Sequence, residues 1–157
     1  MHPERVLEKM SSTHLSLHCH VVFGTKHQRP LILAEWRPRL HAYMGGTIRT
    51  LEVIPEAVGG VADHVHLLIG IRATHRLADV MRDIKRASSA WVHETIEDKE
   101  FEWQDGYGAF SVSASLLERV KRYISNQEAH HRKKTFKEEY VELLKASGVE
   151  HNERYLW

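Results

Sequence analysis

With 157 residues, 42% of them hydrophobic, and a net charge of +1 at pH 7, the chain is sized for one globular domain, residues 1–157, with a core of its own. Its lone cysteine, Cys19, excludes an internal disulfide; the first residues lack the apolar run of a secretory leader; no stretch nears the roughly 20 apolar residues that cross a bilayer. A cytoplasmic protein without a membrane role is expected. Residues 1–12 lack periodicity and read as a loose N-terminal arm. From His14 the pattern alternates: Leu15, Leu17, Cys19, Val21 and Phe23 on one face, Ser16, His18, His20 and Val22 on the other, which is a strand with one apolar side. A basic turn follows, and Trp36, Leu40, Tyr43, Met44 and Ile48 then recur at helical spacing, predicting a helix over 35–50 with Pro38 in its first turn.

Strands are predicted over 52–58 and 61–71, joined by a hairpin turn at Gly59-Gly60. Leu77, Val80, Met81, Ile84, Ser88, Trp91, Val92 and Ile96 form the apolar stripe of a long helix, and Phe110 and Val112 alternate in a short strand over 109–113. Ser115 with Glu118 reads as a capping box opening a helix with Leu116, Val120 and Ile124 inward. Thr135 with Glu138 reads as a second box, opening a last helix with Phe136, Tyr140, Leu143 and Leu144 inward and Gly148 as its terminator. The order β-α-β-β-α-β predicts an α+β fold: a ferredoxin-like (RRM-like) antiparallel sheet with helices on one face, plus a C-terminal helical addition over 115–147.

Charge is unevenly spread. Between positions 119 and 137 stand Arg119, Lys121, Arg122, Arg132, Lys133, Lys134 and Lys137 against one acid, Glu128. Such a segment either attracts a phosphate backbone or is a solvated helix face. His64-Val65-His66 sits mid-strand, where residues two apart share a face and two imidazoles can share one ion. With 13 histidines in the chain a His-x-His pair also arises by chance, and His18-Cys19-His20 is a second one. First and third strands are neighbours in this fold, so His18 and His20 come beside His64 and His66, where facing solvent or nucleic acid is favoured over ligation. Tyr123 and Gln127, four apart, stack on one side of a helix at the margin of its inner stripe.

Taken together, Thr25-Lys26 with Arg29-Pro30-Leu31, Asp63-His64-Val65-His66-Leu67-Leu68-Ile69, the segment from Trp103-Gln104-Asp105-Gly106 through Ser113, and Tyr123-Ile124-Ser125-Asn126-Gln127-Glu128-Ala129-His130-His131 resemble the single-tyrosine His-hydrophobic-His transposases, the IS200/IS605 family. The resemblance runs from about His14 to the end. It implies that Tyr123 is a nucleophile and that His64, His66 and Gln127 bind a divalent metal, Mg2+ or Mn2+. It implies cleavage and rejoining of single-stranded DNA, bearing hairpins, through a 5′-phosphotyrosine link, in a homodimer. Lys26, Arg29, Arg119, Lys121, Arg122, Arg132, Lys133 and Lys134 are the expected DNA contacts. Two rivals remain at this point: a host-recruited regulator that binds single-stranded nucleic acid without cutting, and a water-using metal hydrolase in which Tyr123 is structural.

Overall fold

The structure, a computed structural model, describes residues 12–157; apart from Ser12, the expected loose arm lies outside the described residues. Four strands, β1 (His18–Gly24), β2 (Ile54–Gly60), β3 (His64–Gly70) and β4 (Gly108–Val112), form one antiparallel sheet in the order β2-β3-β1-β4. Helices α1 (Arg37–Thr50) and α2 (Leu77–Trp91) cover one face, and α2 runs on into a π turn, Val92–Ile96. Three short helices close the chain: α3 (Leu117–Ser125), α4 (Gln127–His131) and α5 (Phe136–Ala146). The predicted ferredoxin-like α+β architecture is the one observed.

The main core lies where alternation and helical stripes meet: Val21, Phe23, Val65, Leu67 and Ile69 from the sheet against Leu40, Met44, Ile48, Val80, Met81 and Ile84. Each such side chain stabilises the fold by about 1.5–3 kcal/mol. The opposite face is not open. Val22 and Phe110 pack there against Phe136, Tyr140 and Leu144 of the last helix, so every residue of β3 is buried. Strand β1 therefore has two apolar faces, not one, and its expected start is trimmed, with Leu15 and Leu17 exposed.

The hairpin turn falls at positions 61–63, not at Gly59-Gly60. Both glycines sit in the ladder, opposite His66 and Val65. Gly60 holds φ +148°, a conformation that other residues rarely adopt, and a Cβ on Gly59 would stand 2.6 Å from the backbone oxygen of Ile124. Gly59 lets α3 lie against the sheet, whereas a Cβ on Gly60 would meet His64 O at 2.3 Å within the hairpin itself. No capping box forms at Ser115, whose hydroxyl faces that of Ser113 at 3.0 Å; the helix opens two residues later, and Leu116 is exposed while Ile124 carries the contact. The expected single helix also breaks at Asn126 (φ −101°, ψ 20°) into α3 and α4. The second box forms at Thr135 and Glu138, and Gly148 (φ +66°) ends α5 with Val149 N donating to Leu144 O, a Schellman closure.

Candidate active site

The tight turn before β3 is pinned from two sides: Thr25 N donates to Asp63 O and Ile32 N to Ala62 O, each at 2.9 Å. Here the Thr25-to-Leu31 segment has a structural task, as does Trp103, whose indole nitrogen donates to Ser88 at 3.0 Å. Directly after the turn, His64 and His66 project from the same face of β3 and are both fully buried. Asp63 orients the first, its Oδ1 lying 2.7 Å from His64 Nδ1, while the His64 ring stacks on Phe136 with centroids 4.0 Å apart. His20, from the neighbouring strand, brings Nε2 within 2.8 Å of His66 Nδ1. His20 is thus buried rather than facing solvent, and it touches a candidate ligand instead of joining the centre itself.

Helices α3 and α4 deliver the other two predicted residues. Gln127 Oε1 lies 3.2 Å from His64 Nε2, and Gln127 is buried. Tyr123 stands edge-on to both His20 and His66, its hydroxyl donating to Oε2 of Glu139. Tyr123, His64, His66 and Gln127 are therefore brought together, although the helix break separates Tyr123 from Gln127. His18 is not part of the group.

Glu139, unforeseen from the sequence, stands at the middle. Its Oε1 is 3.1 Å from His64 Nε2, 3.0 Å from His66 Nε2 and 3.1 Å from His131 Nε2, and its Oε2 is 3.1 Å from Gln127 Nε2. His130 Nε2 also lies 3.2 Å from Oε2. The ligand atoms of His64, His66, His131 and Glu139 all fall within 4.8 Å of one another, a set able to hold a metal ion. The one local signal for Glu139 is its place as the single acid on the Phe136, Tyr140, Leu143 face of the last helix.

Burial and charge act together here. Burial opposes ionisation of Glu139, but the His131, His64 and His66 rings within hydrogen-bond distance of its oxygen outweigh it and hold the carboxylate far below its usual range. Burial likewise opposes charge on His64, and its bonds to Asp63 and Glu139 prevail, raising its pKa. His66 goes the other way, chiefly through burial, and His20 is lowered to about 3 by burial and by His66. Burial, then the adjoining Glu139 carboxylate, pushes the Tyr123 phenol far up. The phenol is protonated in this state.

The basic segment is only partly available. Lys121 pairs with Glu56 and Glu118, each at 3.2 Å, Lys134 with Glu142 at 2.5 Å and Lys26 with Glu102 at 3.1 Å. Arg29, Arg119, Arg122, Arg132 and Lys133 are exposed and make no ion pair among the described residues.

Beyond Gln127 opens a cleft of about 390 Å³ between α1, the end of β2 and the α3–α4 break, with Arg37, His41, Asn126 and Arg132 on its walls. His41 Nε2 is buried without a partner, and burial, then Arg37, lowers its pKa to about 4. The folded state so binds fewer protons than the unfolded chain, in which histidine titrates near 6.5. The stability this preserves is complete above pH 6.5 and is lost as pH falls through about 4. Between pH 7 and 4.5 the His41 share is about 2 kcal/mol. Urea unfolding at both pH values should show His41→Gln losing less stability on acidification by that amount; equal losses would contradict the depressed pKa.

Three comparisons bear on identity. Among curated proteins none matches the chain. In fold it is similar to a crystal structure from Deinococcus radiodurans R1, described as a candidate transposase, with TM-score 0.60 and 21% identity over 74% of this chain and 94% of that one. It is also similar to a REP-associated tyrosine transposase bound to a REP hairpin, with TM-score 0.57 and 14% identity over 78% of this chain and 74% of that one. Residues 13–127 match the family described as "Transposase IS200 like", ending at Gln127 rather than at the chain terminus, and over that span the chain belongs to the IS200-like transposases.

Proposed function

We propose that this transposase cuts and rejoins single-stranded DNA with Tyr123 as nucleophile and a divalent metal, Mg2+ or Mn2+, held by His64, His66 and Gln127. The observation that carries the reading is convergence: the Tyr123 hydroxyl, two buried imidazole nitrogens and the Gln127 amide surround one carboxylate. Buried imidazoles whose far nitrogens are already engaged, by Asp63 and by His20, are built to offer the near ones. A divalent cation there would polarise a phosphodiester and balance charge in its transition state. Tyr123 Oη attacks phosphorus, forming a 5′-phosphotyrosine bond and breaking the bond to the 3′ oxygen, which leaves as a 3′-hydroxyl. The phenol proton already points at Glu139 Oε2. Because the new ester retains the phosphoryl linkage, an incoming 3′-hydroxyl can reverse the step and join strands.

Hairpin-bearing DNA ends are the proposed substrate, in keeping with the hairpin bound by the REP-associated neighbour. A homodimer belongs to the same reading, since β2 and β4 are sheet edges that a second copy can cover. The test is incubation of the protein with single-stranded DNA from its gene's flanks, with and without Mn2+, followed by a denaturing gel. A metal-dependent covalent adduct is expected. DNA binding without adduct under any metal would favour the regulator, and cutting without adduct the hydrolase.

Arg119, Arg122, Arg132 and Lys133, with Arg29 and the paired Lys26, Lys121 and Lys134, are the proposed phosphate contacts. Replacing Arg132, Lys133 and Lys134 by alanine should flatten the plot of log affinity against log salt by about two, since each phosphate contact contributes about 0.9 and Lys134 is partly neutralised by Glu142. An unchanged slope in a filter-binding titration would assign these residues to solvent.

A further inference from the structure

The structure assigns two further ligands to the metal of the proposed centre, Glu139 through Oε1 and His131 through Nε2, and so makes the C-terminal helices part of it. The inference rests on the reading of His64 and His66 as ligands. Both new residues lie beyond residue 127, where the family match ends.

Three imidazole nitrogens, from His64, His66 and His131, lie 3.1, 3.0 and 3.1 Å from the same carboxylate oxygen. One such oxygen has two lone pairs, so three N–H donors exceed what it can accept well. Nor is His131 free to donate in its neutral form. Its Nδ1 lies 2.7 Å from the backbone oxygen of Lys134, which can only accept, so the neutral ring carries its proton there and turns a lone pair at Nε2 towards Glu139. Lone pair then faces carboxylate oxygen at 3.1 Å, an arrangement that repels unless a cation lies between. His64 is built alike, with Nδ1 on Asp63. A far nitrogen tied to an acceptor and a near one offered to the ion is how proteins orient metal-binding histidines.

Size and burial agree. Donors about 2.1 Å from one ion and at right angles to each other stand about 3.0 Å apart, close to the three separations observed. Glu139 is 1% exposed, so water cannot compensate its charge. Its second oxygen turns from those three imidazoles to the Tyr123 hydroxyl, Gln127 Nε2 and His130 Nε2, and one carboxylate thereby links the phenol to the ion.

The experiment is calorimetric titration of the full-length protein with Mn2+. Glu139→Ala and His131→Ala should each bind at least tenfold more weakly than wild type, Glu139→Gln should fall between, and His64→Ala should lose binding. Hydrogen exchange of wild type should slow across α5 on adding Mn2+, a readout that stands even where a variant fails to fold. Wild-type or tighter affinity in Glu139→Ala and His131→Ala, or unchanged exchange in α5, would overturn the inference. If wild type bound no Mn2+, or His64→Ala bound it unchanged, the underlying reading of the metal centre would fail instead.

Discussion

Tyr123→Phe is expected to abolish DNA cleavage and the covalent adduct together while leaving DNA binding intact. The substitution removes one oxygen. The ring keeps its edge-on contacts with His20, His66 and His130, so the helix should hold its place. The lost hydrogen bond to Glu139 costs about 1 kcal/mol, because that carboxylate retains its other partners. With the phenol gone, no other hydroxyl among the described residues contacts the Glu139 carboxylate, and the proposed reaction loses its nucleophile. Denaturing gels, with a thermal melt to check folding, decide the matter: continued cutting by a folded Tyr123→Phe protein would refute covalent catalysis, and a shift larger than a few degrees would mean the hydroxyl is a structural tie.

Gly59→Ala should damage the site from behind. The added Cβ would meet Ile124 O at 2.6 Å and Ile124 Cγ2 at 2.8 Å, and backbone cannot yield as a flexible side-chain tip can. Ile124 follows Tyr123 directly, so relief of the clash must displace α3 and with it the phenol. Overpacking of this kind costs about 1–3 kcal/mol, and a shift of an ångström at a reacting group costs about 100-fold in rate. The control is Gly46→Ala in α1, where a Cβ meets nothing within 4 Å. In a helix interior that change should stabilise by about 0.5–1 kcal/mol and leave cleavage alone. Equal behaviour of the two variants, in melts and in cleavage, would show that the close approach at Gly59 does not position Tyr123.

Periodicity made the sheet and α2 legible, because one side chain in two or in 3.6 must reach the core whatever else happens. It misplaced what depends on contacts distant in sequence. Gly59-Gly60 has the composition of a hairpin turn, yet the side chain that Gly59 lacks leaves room for a helix 65 residues later, and the turn slides on. Val22 reads as part of a polar face because nothing local shows that Phe136, Tyr140 and Leu144 return to cover it. The four residues suggested by the resemblance do meet. The sequence does not single out Glu139 and His131, because a charged residue in a basic, helical stretch reads as solvated until its neighbours are known to be imidazoles.

The two faces of the sheet are unequally held. One is clad by long helices and a wide apolar core, the other by a small cluster in which Phe136, Tyr140 and Leu144 are the chief anchors from α5. Free energy of opening follows apolar contact, so the molecule should come apart in stages, with the C-terminal helices lifting before the strands separate. The first stage would carry Glu139 out of the centre while His64 and His66 stay on an intact sheet. Half of the site would then be as durable as the fold itself, and half only as durable as its weakest helix.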